Sequence, residues 1–187
     1  NNLVESIFRW VHVIAGITWI GLLYFFNWVN SAFGPTMDAE TKQKVAPELL
    51  PRTLYWFRWG AAYTWITGVV LLSLVYYQTG AFLADSATGW GTPQIVMVAA
   101  TFLSVVLYDL IYGKVAALKG TTAGFVVGLV LASGSLYIFD RWAGFGFRGY
   151  SIHLGAMFGT FMAFNVWYRI WPAQRKIIAA IKAGEKP

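Results

Sequence analysis

The chain has 187 residues, of which 58% are hydrophobic and 12% charged, and its mean hydropathy is +0.56. A soluble globular domain carries about a quarter charged residues, so these proportions exclude an ordinary water-soluble enzyme and describe a surface that faces lipid. Fourteen Lys and Arg against eight Asp and Glu give a net charge of +6. The basic residues sit at the ends of apolar runs rather than in one patch, so nucleic acid is not an expected partner. The absence of cysteine removes disulfides, thiolate metal sites, iron–sulfur clusters and covalent haem attachment through C-x-x-C-H. Any metal must be held by His, carboxylate, Met or backbone groups.

Crossing a hydrocarbon core takes roughly 20 apolar residues in a helix. Five runs qualify in chain order: Ile7 to Val29, Leu54 to Tyr77, Ile95 to Tyr112, Gly120 to Phe139 and Ile152 to Trp171. The expected fold is therefore all-α, an integral membrane bundle of about five transmembrane helices over residues 1–171. The connection from Gly34 to Arg52 is polar and twice interrupted by proline, at Pro47 and Pro51. The link from Gly113 to Lys119 is short, which favours an antiparallel hairpin. Residues 172–187, with Arg175, Lys176 and Lys182 among Ile177, Ile178 and Ile181, read as a basic amphipathic tail suited to an anionic inner leaflet.

Five crossings put Arg9, Arg141 and Arg148 on one side and the other eleven basic residues on the opposite side. By the positive-inside rule the N-terminus is expected outside and the C-terminus in the cytoplasm, in a multi-pass protein of the bacterial inner membrane. Most of the ten tryptophans fall near the expected helix ends and read as interfacial belts.

Polar groups within apolar segments are expensive, so each is a functional candidate. The only two histidines, His12 and His153, lie early in the first and fifth segments, which run in the same direction. They are expected to face one another in the outer half of the membrane. Two imidazoles on facing helices suit the axial positions of haem iron, giving His12 and His153 as metal ligands. Arg9, one helical turn before His12, and Arg148 or Arg141 near His153 are expected propionate partners. Gly16, one turn after His12, leaves room for a flat macrocycle, and Tyr150 stands one turn outward of His153. Helix-to-helix hydrogen bonding is the structural alternative for both histidines. Arg58 and Asp109, at similar depth, are expected to form a salt bridge, with Asn27, Asn165 and Arg169 toward the same side. Gly155 and Gly159, like Gly124 and Gly128, have the G-x-x-x-G spacing of close helix contacts. Phosphate loops, G-x-S-x-G, H-E-x-x-H and dinucleotide fingerprints are absent.

The run RWVHVIAGITWIGLLYFFNWVN from Arg9 to Asn30, followed by PELLPRTLYWFRWGAAYTWITGVVLLSLVYY from Pro47 to Tyr77, resembles the N-terminal membrane domain of the PuuD-type membrane-bound urate oxidases. The early histidine followed by small residues and Trp is also similar to membrane b-haem proteins of the HemJ type. The first resemblance implies a multi-helix membrane domain joined to a periplasmic cytochrome c domain, with Arg9, His12, Gly16, Trp19 and Gly21 as the family-like positions. The residues given contain no C-x-x-C-H of such a cytochrome, and a short form without that domain is the expectation. The expected function is that of a membrane b-type haem protein passing electrons to or from a periplasmic cytochrome or a quinone. Filled axial positions favour electron transfer over oxygen chemistry. Two alternatives stand beside it. One is a cofactor-free accessory subunit of a larger respiratory or photosynthetic complex. The other is an oxidase or dehydrogenase of a purine-like substrate, with Arg58, Asn27 and Asn165 as donors.

Overall fold

A backbone running through hydrocarbon has to satisfy its own N–H and C=O groups, which for segments of this length means a helix. The computed structural model describes residues 2–185 and is 87% helical, with no strand among the described residues. Asn1 and the tail residues Lys186 and Pro187 lie outside the described residues. Among the described residues four helices are long and apolar enough to cross a membrane: α1 (Asn2–Thr36), α2 (Ala39–Tyr77), α3 (Thr92–Lys114) and α4 (Thr122–Arg141). Helix α5 (Phe147–Asn165) is the fifth apolar segment, and it continues through a π-helical stretch (Val166–Ile170) into α6 (Trp171–Ala183). The protein is thus an all-helical, multi-pass membrane protein. Trp10, Phe125 and Tyr168 are 69%, 71% and 72% exposed, as expected of side chains that face lipid.

The largest departure from the expected boundaries is in α2, which begins at Ala39 and runs through Pro47 and Pro51. A proline inside a helix removes one backbone bond and crowds the preceding turn. Here the periodicity outweighs that cost, because Ala46, Leu50, Leu54, Phe57 and Ala61 form one buried stripe at helical spacing. The start is fixed by Asp38, whose carboxylate accepts from the Thr41 N–H and hydroxyl, both at 2.8 Å. Lys44–Glu40 and Arg52–Glu48 pairs at i,i+4 line its exposed side.

The chain divides into two compact units, Asn1–Gly68 with Met162–Pro187, and Val69–Phe161. In the first, Trp19 of α1 and the α2 stripe pack with Val166 and with Ile181 of α6. The backbones of α1 and α2 come close at Gly60, where a Cβ would lie 3.2 Å from the Trp19 nitrogen and 3.3 Å from the Ala15 oxygen. Within this amphipathic stretch Trp171–Ala183 is helical, and Ile178 and Ile181 turn onto this core. The Gln43 amide donates to the Lys182 carbonyl at 3.1 Å, and Gly184, at φ +75°, ends the helix.

In the second unit Phe82, Leu83, Met97, Phe139, Ala143 and Phe145 form the core. The connection after α2 meets the connection after α4 in a small bridge. Ala84 N–H donates to Gly144 O and Gly146 N–H to Phe82 O, each at 2.9 Å, with Leu83 opposite Phe145. Buried Gln94 accepts from Gly91 N–H and donates to Ala143 O at 2.8 Å, tying the start of α3 to the end of α4. Tyr112 donates to Gly124 O at 2.7 Å, and its hydroxyl would lie 2.8 Å from a Cβ on Gly128. The G-x-x-x-G pair Gly155 and Gly159 instead has nothing within 4 Å of where its Cβ atoms would sit.

At Gly149 a Cβ would fall 1.9 Å from the Phe82 carbonyl oxygen, a backbone atom that cannot swing away. Gly149→Ala is expected to lower stability by about 1–3 kcal/mol or more through overpacking, read as a fall in the thermal midpoint in detergent. At Asp38 the Thr41 amide and hydroxyl hold the carboxylate below its ordinary pKa. Its capping contribution is therefore complete above the unfolded-state value and is lost as pH falls through the lower folded value. Amide hydrogen exchange at Thr41 is expected to speed up in Asp38→Ala at neutral pH, and in the native protein only once that folded value is passed.

Candidate functional site

Each histidine is held within its own unit, and in each case a backbone carbonyl determines where the proton sits. On α2 the Thr67 hydroxyl donates its single proton to the Tyr63 carbonyl at 2.6 Å. The contact of 3.0 Å between Thr67 Oγ1 and His12 Nδ1 must then be donated by the imidazole. His12 accordingly carries its proton on Nδ1 and presents the lone pair of Nε2. Gly68 makes room for this ring, since a Cβ there would lie 3.2 Å from His12 Cε1. His12 is half-buried, whereas Thr67 is buried.

His153 is wholly buried. Its Nδ1 lies 2.7 Å from the Gly149 carbonyl, one turn earlier on α5, and a carbonyl can only accept. The proton is again on Nδ1, and Nε2 accepts from the Tyr77 hydroxyl at 3.0 Å. Rings of Phe145, Tyr77, Phe139 and Phe82 surround the imidazole at centroid distances of 4.7, 5.6, 5.7 and 6.1 Å. The small bridge between the two connections sets Phe82 and Phe145, and the missing side chain at Gly149 lets α5 approach Phe82. The site is thus built by backbone contacts as much as by the aromatic rings.

The other expected residues divide clearly. Arg9 is exposed and gives Nε and Nη2 to Glu5 one turn earlier, at 2.8 and 2.5 Å, so its charge is already partly balanced. Gly16 faces Thr64 at an ordinary 3.9 Å. Tyr150 is half-buried against the core of the second unit, with Phe147 edge-on at 5.6 Å. Arg148 is exposed on the first turn of α5. Asn27 donates back to the Leu23 carbonyl of its own helix at 2.9 Å. Arg58 lies in an aromatic setting, its Cζ 4.0 Å above Trp171. Asp109 belongs to the second unit and, like Asn165 and Arg169, is engaged in interactions of its own. Sequence reasoning passed over Thr67, Tyr77, Gly149 and the Phe82–Phe145 pair. The legible trace was weak, since Tyr77 ends an apolar run where an interfacial tyrosine is ordinary and Gly149 stands in a glycine-rich connection.

Chemically, each histidine offers a metal the arrangement common among ligating imidazoles, with Nδ1–H anchored to a protein oxygen and Nε2 directed elsewhere. At His153 a metal on Nε2 would take the place of the Tyr77 hydroxyl. The surroundings of His153 are apolar, as suits a site from which water is excluded.

The sequence model of the family described as urate oxidase N-terminal matches residues 34–187. The match extends well past the first 80 residues in which the resemblance is most visible, and it includes His153, Tyr150 and Arg148, while Arg9, His12 and Gly16 precede it. No curated protein and no solved structure matches the chain.

Tyr77→Phe removes the donor to a wholly buried nitrogen and is expected to cost about 1–3 kcal/mol, seen as a lower thermal midpoint in detergent. Thr67→Val is expected to cost less, because the half-buried His12 has more freedom to find another partner.

Proposed function

Since this chain belongs to the urate oxidase N-terminal family, we propose that it is a b-type haem protein of the membrane that mediates electron transfer, and that His12 and His153 are the residues that would hold the haem iron through Nε2. The reading rests above all on the tautomer that the two histidines share. Thr67 and the Gly149 carbonyl each occupy Nδ1, so each ring has Nε2 as its coordinating nitrogen. In a chain without cysteine these are the strongest neutral donors present. Haem bound there supplies one-electron chemistry. The protein's part is to orient the imidazoles and exclude water, and to keep a proton on each Nδ1. Arg148 is exposed and available to a propionate, while Arg9 would share its charge between a propionate and Glu5.

The charge bias supports an N-terminus outside and a C-terminus in the cytoplasm of a bacterial inner membrane. Eleven of the fourteen basic residues lie on the side assigned to the cytoplasm. The redox partner is then a periplasmic cytochrome or a quinone, or a larger membrane complex of which this chain is one subunit.

The test is a dithionite-reduced minus oxidised spectrum of the protein purified in detergent from haem-supplied cells, with His12→Ala, His153→Ala and Tyr77→Phe alongside. Sharp b-type bands are expected in the native protein and in Tyr77→Phe, with loss of most of the signal in each histidine variant. Native protein without such bands, or bands untouched by both histidine substitutions, overturns the assignment.

A further inference from the structure

At the junction of α5 with α6 two cations converge on one indole. The Arg58 guanidinium lies 4.0 Å over Trp171, with Trp167 and Tyr55 at 5.4 and 5.6 Å. Arg175, one turn further along α6, lies 5.8 Å from the same Trp171 ring. Trp167 cannot swing aside freely, because its Nε1–H donates to the Arg58 carbonyl at 3.1 Å. One Arg58 donor, Nε, is buried without a hydrogen-bond partner. The aromatic faces attract each guanidinium but leave the two positive charges unneutralised. No acidic residue occurs from Arg141 to Gly184, a stretch that also carries Arg148, Arg169, Lys176 and Lys182. A guanidinium carries its N–H groups as a planar fork, which suits two oxygens of a tetrahedral or planar oxyanion.

We propose that Arg58, Trp171 and Arg175 form a binding site for a phosphate-type oxyanion. Its sources are the headgroup of an anionic lipid or a free phosphate. The lipid source follows from the position, at the end of an apolar helix where tryptophans gather and an amphipathic basic helix begins. The anion bridges the two guanidiniums and relieves their repulsion, and in doing so fixes α6 against α2.

The experiment uses the full chain in detergent, with Arg175→Gln and Lys176→Gln as a matched pair. Both variants remove one charge from exposed positions on the same helix, but only Arg175 lies over Trp171. Retention of phosphatidylglycerol over phosphatidylcholine is read by native mass spectrometry after exchange from mixed vesicles, and thermal stability is read with and without inorganic phosphate. The expected result is about a fivefold loss of phosphatidylglycerol retention in Arg175→Gln and little in Lys176→Gln. Stabilisation by inorganic phosphate that Arg175→Gln abolishes and Lys176→Gln keeps, without lipid preference, assigns the same site to a free oxyanion. Equal losses in the two variants, or no response to either anion in the native protein, overturn the proposal. Arg58→Lys, which keeps the charge but not the planar fork, is expected to fold and to bind as weakly as Arg175→Gln.

Discussion

Inside lipid a polar side chain has no water to fall back on, and the full burial of His153 is the constraint on which the second unit turns. Both ring nitrogens have to find partners within the protein, and they do so in the Gly149 carbonyl and the Tyr77 hydroxyl. Each partner in turn makes a demand on the fold. Gly149 can have no side chain, because the Phe82 carbonyl occupies that space. Phe82 is placed by the pair of backbone hydrogen bonds that join residues 82–84 to 144–146. A single imidazole thus explains the glycines, the bridge and the aromatic cluster around it.

Helix α2 serves both histidines with two different chemistries. Thr67 accepts from His12 because its own proton is committed to Tyr63, and Tyr77 donates to His153 because the Gly149 carbonyl has already claimed the other nitrogen. Both histidines thus offer Nε2, His12 with its Nδ1 on Thr67 of α2 and His153 with its Nδ1 on the Gly149 carbonyl of α5. His12, half-buried and with Gly68 against its ring, is held more loosely than His153. The proposed haem ligation uses the same nitrogen of both rings but displaces a protein hydrogen bond at only one.

At the other extreme of polarity, the cationic end of α6 is organised by aromatic faces instead of carboxylates. Arg58 and Arg175 share Trp171, while the apolar side of the helix closes on Ile178 and Ile181. Aromatic faces accept a guanidinium without neutralising it, so positive charge can be held at this helix end and still remain available to an anion.

The residue pattern by itself determined the class of the protein. A surplus of apolar residues in helix-length runs, with basic residues at their ends, leaves little besides a helical membrane protein, since hydrocarbon admits few backbone solutions. The two histidines stood out for the same reason, being ionisable groups in apolar surroundings. The extension of α2 back to Ala39 was hidden by Pro47 and Pro51, because a local proline signal carries no information about a buried stripe supplied by other helices. Only the tertiary structure decided which nitrogen His12 presents, and that Tyr77 and Gly149 belong to the site. The Thr67–His12 and Tyr77–His153 contacts join residues 55 and 76 positions apart, and no helical or interfacial periodicity encodes them.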